Sequence, residues 1–130
     1  MLLHISSDGA PIYQQIVDQV RFRIVSGQLR SGDELPTIRG LAESLRVNPN
    51  TVARAYREVE RDELIEKRRT TGTFVRELPK KLGVAQRSKL IAPALDKLLI
   101  QARQLGLPLD ELIQLAEKRD TELQKSEKRS

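Results

Sequence analysis

Residues 46–56 read RVNPNTVARAY, and this stretch decides how the first half of the chain folds. Asn48 suits the N-cap of a helix, because its side-chain oxygen can accept a hydrogen bond from a backbone N–H. Pro49 suits the first helical position, where its missing N–H costs nothing. An apolar stripe follows at i, i+3, i+4 and i+7, formed by Val52, Ala55, Tyr56 and Val59. The stretch therefore predicts an amphipathic helix with a polar first turn.

A second, shorter helix is predicted directly upstream. The segment TIRGLAESLR begins at Thr37, which can cap it, and its apolar residues recur at helical spacing. Only three residues, 46–48, separate the two helices. Two short helices joined by a tight turn are typical of a helix-turn-helix, whose second helix presents its N-terminal residues to the DNA major groove.

The polar residues at the start of the later helix suit DNA. Asn50 can pair with adenine through two hydrogen bonds, and Thr51 can reach a phosphate or a thymine methyl. Arg54, one turn further on, can reach a base edge or a phosphate. Free N–H groups and the helix dipole would favour a phosphate at this end. The same spacing also fits an ordinary capped helix in a small α-helical protein without a DNA partner.

Elements on both sides extend this pair of helices. Residues 11–26 carry apolar side chains at four-residue steps and predict a first helix, which Gly27 can end with a left-handed cap. Leu29 and Leu35 flank a turn signal and are expected to enter the core. Residues 64–76 predict a β-hairpin, so the head reads helix, helix, turn, helix and hairpin.

The tip of this hairpin is basic and forms a predicted wing. Arg68 and Arg69 suit phosphates or a narrow groove, and they lead into a turn containing Thr71 and Gly72. Glycine would allow the backbone to approach DNA closely. A short basic run in a turn is more often simply solvated, so this interpretation depends on the helices that precede it.

Four ordered motifs resemble the winged-helix head of the GntR family of bacterial transcription regulators. They are PIYQQI, SGDELPTIRGLA, VNPNTVARAY and GTFV, within about residues 11–76. The resemblance implies DNA contacts from Arg39 on the second helix, from the tip of the third helix, and from Gly72 in the wing. The complete candidate DNA-binding set is Thr37, Arg39, Asn48, Pro49, Asn50, Thr51, Arg54, Arg68, Arg69, Thr71 and Gly72.

Three positions depart from the pattern of this family. Many relatives carry an arginine where this chain has Ala53, so base contacts made by that arginine do not carry over. Glu63 stands where a glycine commonly ends the third helix. Thr70 replaces the first glycine of the wing turn, which predicts a stiffer wing tip.

The character of the chain changes after Glu77. The segment LPKKLGVAQRS is polar and predicts a hinge, after which a helix is expected over about residues 86–105. Gly106 ends that helix and Pro108 starts another, whose charged C-terminal end is expected to fray. We therefore divide the chain into a DNA-binding domain, residues 1–77, and a helical dimerisation region, residues 78–130, which is also the possible effector region.

The tail helices carry a heptad-like apolar seam. Such a seam is most often a dimer interface or helix packing, although it can also line a ligand pocket. The tail resembles that of the YtrA subfamily, whose short tail dimerises and is too small for the larger ligand domains of the family. The candidate dimerisation residues are Ile91, Leu95, Leu98, Ala102, Leu105, Leu112, Ile113 and Ala116.

Composition excludes several classes of function. The 130 residues carry a net charge of +5, with 12 basic and 11 acidic residues in 1–77 and 11 and 7 in 78–130, so bulk charge does not mark the head as the DNA binder. There is no cysteine, no secretory signal and no long apolar run. His4 has no partner histidine, and no nucleophile–base set occurs. We expect a cytoplasmic protein that is not an enzyme and needs no metal or cofactor.

The sequence predicts a mainly α-helical protein with a small β-hairpin: a winged helix-turn-helix head and a two-helix dimerisation tail. The predicted function is a sequence-specific transcription regulator, a repressor rather than an activator, which binds double-stranded operator DNA as a homodimer. The operator would be pseudo-palindromic, with half-sites about one helical turn apart or a multiple of that. The alternative is a winged-helix module for protein–protein assembly. Tyr13 and Tyr56 lie on apolar stripes and are expected to be core rings rather than phosphate contacts.

Overall fold

A computed structural model of the chain describes residues 1–7 and 9–129, with the side chains of residues 80–82 and 129 excepted. Over this range the chain is mainly α-helical and divides into two compact units, residues 1–90 and 91–130. The predicted order of helix, helix, turn, helix and hairpin is confirmed. The elements are α1 (Ile12–Val25), α2 (Ile38–Leu45), α3 (Pro49–Arg61), β1 (Ile65–Arg68), β2 (Gly72–Val75), α4 (Lys80–Gln104) and α5 (Leu109–Arg129).

The core of the first unit forms where the apolar stripes of α1, α2 and α3 meet. Each stripe follows the 3.6-residue period, so one side of each helix is apolar and the other is polar. Leu29 and Leu35 pack with this core, as predicted. Its largest fully buried side chains are Ile16, Val17, Val20, Leu41, Val52, Val59, Leu64 and Ile65.

An extended N-terminal segment lies along α1 and is held by two glutamines. Gln19 accepts a hydrogen bond from the backbone N–H of His4 at 2.9 Å and donates to the carbonyl of His4 at 2.6 Å. Gln15 accepts from the N–H of Ser6 at 2.8 Å and donates to its carbonyl at 2.9 Å. Leu3, which directly precedes His4, is buried in the core.

The turn between α2 and α3 is tight because α2 ends in a left-handed residue. Arg46 has a φ of 57°, and the next N–H, that of Val47, donates to the carbonyl of Ala42 at 3.0 Å. This bond pattern satisfies the last carbonyls of α2 and turns the chain within three residues. Asn48 then caps α3, so the break predicted over residues 46–48 is confirmed.

The C-terminal end of α3 repeats this device and is joined to two other helices. Glu63 has a φ of 63°, and its N–H donates to the carbonyl of Glu60 at 2.9 Å. The preceding residue, Asp62, accepts from Nε of Arg21 in α1 at 2.6 Å and lies 3.7 Å from Nζ of Lys89 in α4. The residue that ends α3 is therefore bonded to α1, and a longer ion pair links it to the first part of α4.

The hairpin pairs β1 with β2 in antiparallel register, from Ile65 opposite Val75 to Arg68 opposite Gly72. The turn predicted at residues 31–33 is confirmed, with the N–H of Asp33 donating to the carbonyl of Arg30 at 3.0 Å. Residues 32–35 also pair with the outer edge of β2. The N–H of Leu35 donates to the carbonyl of Thr73 at 2.8 Å. Leu35 is itself buried in the core. The wing is therefore supported by a third extended segment that the sequence analysis did not identify.

Two expectations for the tail are wrong. The segment predicted as a hinge belongs to α4, which begins at Lys80. Pro79 starts this helix instead of breaking it. The N–H of Gly83 donates to the carbonyl of Pro79 at 3.1 Å. The charged end expected to fray is helical as far as Arg129. Good helix formers and local pairs stabilise it, including the hydrogen bond from Gln124 to Asp120 at 3.2 Å.

Candidate nucleic-acid interface

The first turn of α3 is exposed, and its backbone donors are already paired. Oδ1 of Asn48 accepts from the N–H of Asn50 at 2.8 Å, and the N–H of Thr51 donates to the carbonyl of Asn48 at 2.9 Å. Pro49 has no N–H. The expectation of free N–H groups for a phosphate at these three positions is therefore wrong, because the cap uses them. Recognition at this end has to come from side chains.

The two asparagines in this turn have different capacities. Since the carbonyl oxygen of Asn48 holds the cap, only its NH₂ group is left to donate, and pairing with adenine through both amide atoms would open the cap. The side chain of Asn50 is exposed, and within the described residues neither of its amide atoms is engaged. Asn50 is therefore the asparagine that can read an adenine, with the half-buried Thr51 beside it.

Arg54 lies one turn further along α3, on the side away from the core. Its guanidinium carbon stands 3.6 Å from the centroid of the Tyr13 ring, close enough for a cation–π contact. Tyr13 belongs to the first turn of α1 and packs against the core as a half-buried ring. The interpretation of Tyr13 as a core ring is confirmed in part, because its other face carries Arg54. No local sequence signal links two residues so far apart in the chain.

Tyr56 is a core ring, as the sequence indicated. Its side chain is 4% exposed, and its hydroxyl donates to the carbonyl of Pro36 at 2.8 Å. Burial raises the pKa of the Tyr56 phenol, so the group stays neutral and keeps its proton for this bond. The bond ties α3 to the residue just before the cap of α2 and so fixes the angle between the two helices.

The N-terminus of α2 presents the other candidates on this side of the head. Thr37 caps the helix, its Oγ1 accepting from the N–H of Gly40 at 2.9 Å. A Cβ at residue 40 would lie 2.8 Å from that oxygen, so glycine leaves room for the cap. Arg39, the second residue of α2, is exposed and makes no hydrogen bond or ion pair with the described residues. Arg39 is thus available to a phosphate.

The two wing arginines differ in their surroundings. Arg68 donates to Oε1 of Glu66 at 3.1 Å and lies 4.3 Å from the centroid of the Phe74 ring. Glu66 and Phe74 are opposite one another across the hairpin, so all three side chains share one face. Arg69 is exposed and makes no such contact within the described part of the chain. We call this arrangement, in which Glu66 and Phe74 hold Arg68, the clamp. The sequence analysis did not identify it, although the i, i+2 spacing of Glu66 and Arg68 places both on one face of a strand.

Gly72 closes the wing turn in a conformation that favours glycine. Its φ is 124°, and a Cβ there would meet Oε1 of Glu34 at 2.7 Å. The same neighbourhood includes a cleft that joins the hairpin tip to the start of α2, and Thr71 lies exposed at the turn. The candidates that line this cleft are Thr37, Arg68, Arg69 and Gly72. The fold therefore brings two of the predicted DNA-contacting elements together.

The predicted dimerisation residues fall into two groups. Ala102 and Leu112 are buried within the single chain. Ala116 is exposed, and so are the larger apolar side chains of the seam. Their exposed fractions are Ile91 63%, Leu95 47%, Leu98 45%, Leu105 84% and Ile113 49%.

The described residues offer neither a metal site nor a membrane span. No group of three or more histidine, cysteine or acidic side chains there is arranged to hold a metal ion. No helix in the same part of the chain combines the length and apolar character that crossing a membrane requires.

Comparison with known proteins identifies similar chains. Residues 12–75 match the family model described as bacterial regulatory proteins, gntR family. The HTH-type transcriptional repressor YtrA of Bacillus subtilis is 38% identical over 104 residues, which cover 80% of each chain. The regulator YhcF of the same organism is 39% identical over 80% of this chain and 85% of its own. A GntR family transcriptional regulator from Listeria monocytogenes superposes with a TM-score of 0.71 at 33% identity, covering 87% of this chain and 98% of that one.

Proposed function

The chain belongs to the GntR family of DNA-binding transcription regulators, and we propose that it acts as a homodimeric repressor of a pseudo-palindromic operator. In this proposal α3 enters the major groove, and Asn50, Thr51 and Arg54 face the bases. The tip of the hairpin lies along the adjacent backbone or minor groove.

One observation carries this assignment of roles. The buried stripe of α3 accounts for Val52, Ala55, Tyr56 and Val59, which leaves the polar side chains of the first two turns facing solvent. Asn50 and Arg54 are both exposed on that side, and neither is needed for the core. The Asn50 amide can bond the edge of an adenine, and Arg54 lies one turn away. Together they form a reading surface of the size that a recognition helix uses.

The wing and α2 supply the contacts that position this reading helix. Arg39 and Arg69 are exposed and free of ion pairs among the described residues, so phosphates can pair with them without breaking a bond in the protein. Arg68 is already bound to Glu66 and would have to share that carboxylate or leave it. We therefore assign the stronger wing contact to Arg69.

The exposed seam of the tail supports the homodimer. Ile91, Leu95 and Leu98 continue at heptad-like steps along α4, and in a single chain all three are open to water. A contiguous apolar surface of this kind is typical of a protein interface. Joining two heads through these helices would present two recognition helices to two half-sites, as a pseudo-palindromic operator requires. An effector would have to act by changing how these helices space the heads.

Occupancy of the operator is the simplest way for such a dimer to act, and it favours repression. A small dimer that occupies its operator can block transcription without any further domain. The similar protein YtrA is itself named a transcriptional repressor. The proposed partner is genomic DNA, and the matched family is that of bacterial regulatory proteins. We therefore propose that the protein is cytoplasmic.

Titration onto DNA tests this function. The full chain is titrated by fluorescence anisotropy onto a duplex from upstream of its own coding sequence and onto a random duplex of equal length, at several salt concentrations. We expect tighter binding to the upstream duplex at every salt concentration, with an affinity that falls steeply as salt rises. Equal affinity for the two duplexes at every salt concentration would contradict the proposal.

Variants at Asn50 and Gln28 assign the reading surface in the same assay. Asn50→Ala should lose about 1–3 kcal/mol of preference for the specific duplex, since an amide that pairs with adenine through two bonds contributes that much discrimination. Gln28→Ala changes an exposed amide in the loop after α1 and serves as the matched control. We expect its affinity for both duplexes to equal that of the wild type.

A further inference from the structure

The contact between Arg54 and Tyr13 joins the reading helix to a different helix. The guanidinium carbon of Arg54 lies 3.6 Å from the Tyr13 ring centroid, whereas Arg54 itself is exposed. Tyr13 is partly buried against the core and belongs to the first turn of α1. The ring therefore forms a rigid platform under a long, otherwise mobile side chain.

Stacking of this kind leaves the hydrogen-bonding capacity of an arginine intact. The guanidinium is planar, and its N–H donors point outward in its plane, so a ring against one face blocks none of them. A free arginine loses much rotamer freedom when it binds, and a side chain held in advance loses less. Contact with the Tyr13 ring thus prepares Arg54 to donate to a base or a phosphate.

The sequence of α3 makes this arginine important. Arg54 is the only basic residue among residues 49–56. The neighbouring position, where many relatives carry an arginine, is Ala53 in this chain. The next basic residue, Arg57, is exposed and contacts no aromatic ring in the described residues. No neighbouring cation can therefore replace Arg54 in the first two turns.

We propose that Tyr13 is a positioning residue for DNA recognition: its ring holds the Arg54 guanidinium in the orientation that contacts DNA. The inference rests on the proposed reading role of α3 and adds a residue of α1 to it. The aromatic face carries the effect, and the phenol oxygen is not required. Tyr13 therefore controls affinity through Arg54, without itself contacting DNA.

A double-mutant cycle on the full chain tests this role, with affinity for the specific duplex as the readout. Tyr13→Leu keeps an apolar side chain but removes the aromatic face, and it should weaken binding about three- to tenfold, the range expected for the cost of ordering one arginine side chain. Tyr13→Phe keeps that face and should bind like the wild type. Arg54→Gln should weaken binding at least as much as Tyr13→Leu. In the Arg54→Gln background, Tyr13→Leu should cause no further loss.

Control measurements separate positioning from a purely structural effect. Circular dichroism at the assay temperature checks that each variant is folded, and Tyr13→Met replaces Tyr13→Leu if the latter does not fold. Arg57→Gln removes an exposed arginine of α3 that has no ring partner among the described residues. Adding Tyr13→Leu to Arg57→Gln should still weaken binding about three- to tenfold, since Arg54 remains.

Three outcomes would overturn the inference. Equal loss from Tyr13→Phe and Tyr13→Leu would show that the hydroxyl contacts DNA directly. Undiminished loss from Tyr13→Leu in the Arg54→Gln background would show that Tyr13 acts through another group. Wild-type affinity of folded Tyr13→Leu would show that the ring does not matter. A wild-type protein without specific binding would instead contradict the proposed function, so the two failures are distinguishable.

Discussion

The two units of the chain treat their apolar side chains in opposite ways. In residues 1–90 the stripes of three helices close over one another, and the central valines and isoleucines are out of contact with water. In residues 91–130 the largest apolar side chains remain open to solvent, and few are buried. The head therefore completes its core within one chain, whereas the tail has the composition of a core without the partners to close it.

The difference has a simple physical origin. Three helices and a hairpin can surround a common interior, but two helices can bury only the stripe where they meet. A unit of about 40 residues rarely encloses enough apolar surface to be stable alone and usually gains stability by association. This contrast is the basis for our proposal that the tail obtains from a second chain the burial that the head obtains from its own sequence. The following variants test that difference, in order of decreasing effect.

The double substitution Leu95→Glu and Leu98→Glu should have the largest effect. Both side chains are exposed in the single chain, so charges there should leave the monomer folded but prevent two apolar seams from joining. We expect a monomer in sedimentation velocity and at least about a hundredfold loss of operator affinity, because two linked heads gain that much from binding together.

The control for this variant is Lys97→Glu, which changes the net charge of α4 by the same amount. Lys97 is exposed and lies outside the heptad-like seam. The Lys97→Glu variant should therefore remain dimeric. If the double variant sediments as a dimer too, the interface lies elsewhere and the contrast between head and tail has another cause.

Tyr56→Phe should weaken the head from within. The substitution removes the hydroxyl that donates to the carbonyl of Pro36 and leaves that acceptor without its partner. We expect the free energy of unfolding in urea to fall by about 1–2 kcal/mol. The decrease should be the same at two protein concentrations, since the lost bond lies inside one chain. A decrease that depends on concentration would mean that the head, too, relies on its partner.

The wing offers a smaller, local comparison between two adjacent arginines. Arg69→Gln should lower affinity for any duplex several-fold and reduce the salt slope by about one counterion, as expected for a lost phosphate contact. Arg68→Gln should have less effect on DNA, because Arg68 is bound to Glu66. Fluorescence anisotropy at four salt concentrations measures both slopes. A larger loss from Arg68→Gln would show that the clamp presents Arg68 to DNA.

Glu63→Gly should have the smallest effect, in the opposite direction. Glu63 holds a φ of 63°, where a side chain is strained and glycine is not. Relief of that strain exceeds the extra entropy that glycine gives the unfolded chain. We expect the free energy of unfolding to rise by about 0.5–1 kcal/mol, measured in urea. Unchanged or lower stability would show that the Glu63 side chain makes a compensating contribution.

The sequence predicted the head well because its signals are local. Helical spacing located three helices, Thr37 and Asn48 marked two of their starts, and the turn residues located the hairpin. The family motifs agreed with these signals. Caps, periodicity and turn chemistry all act within a few residues, so they can be read from one chain.

What the sequence did not predict depends on contacts between distant residues. The pairing of residues 32–35 with β2 and the stack of Arg54 on Tyr13 both join separate parts of the chain. The start of α4 was missed for a different reason: Pro79 can begin a helix or interrupt one, and composition does not separate the two. The roles of the individual DNA-contacting residues remain predictions, since side-chain exposure identifies what is available and not what is used.

The glutamine pairs along α1 have a consequence for insertions and deletions near the N-terminus. Gln15 and Gln19 are four residues apart on a helix, about 6 Å, and they hold residues two apart on an extended chain, about 6.6 Å. The two spacings match, so α1 accepts the segment as a neighbouring strand would, in one register. An inserted residue between His4 and Ser6 would lengthen their spacing to about 10 Å, so the two pairs could no longer form together. The carbonyl of Ala10 accepts from the same Gln15 at 2.8 Å, so an insertion directly after Ala10 would disturb this glutamine as well.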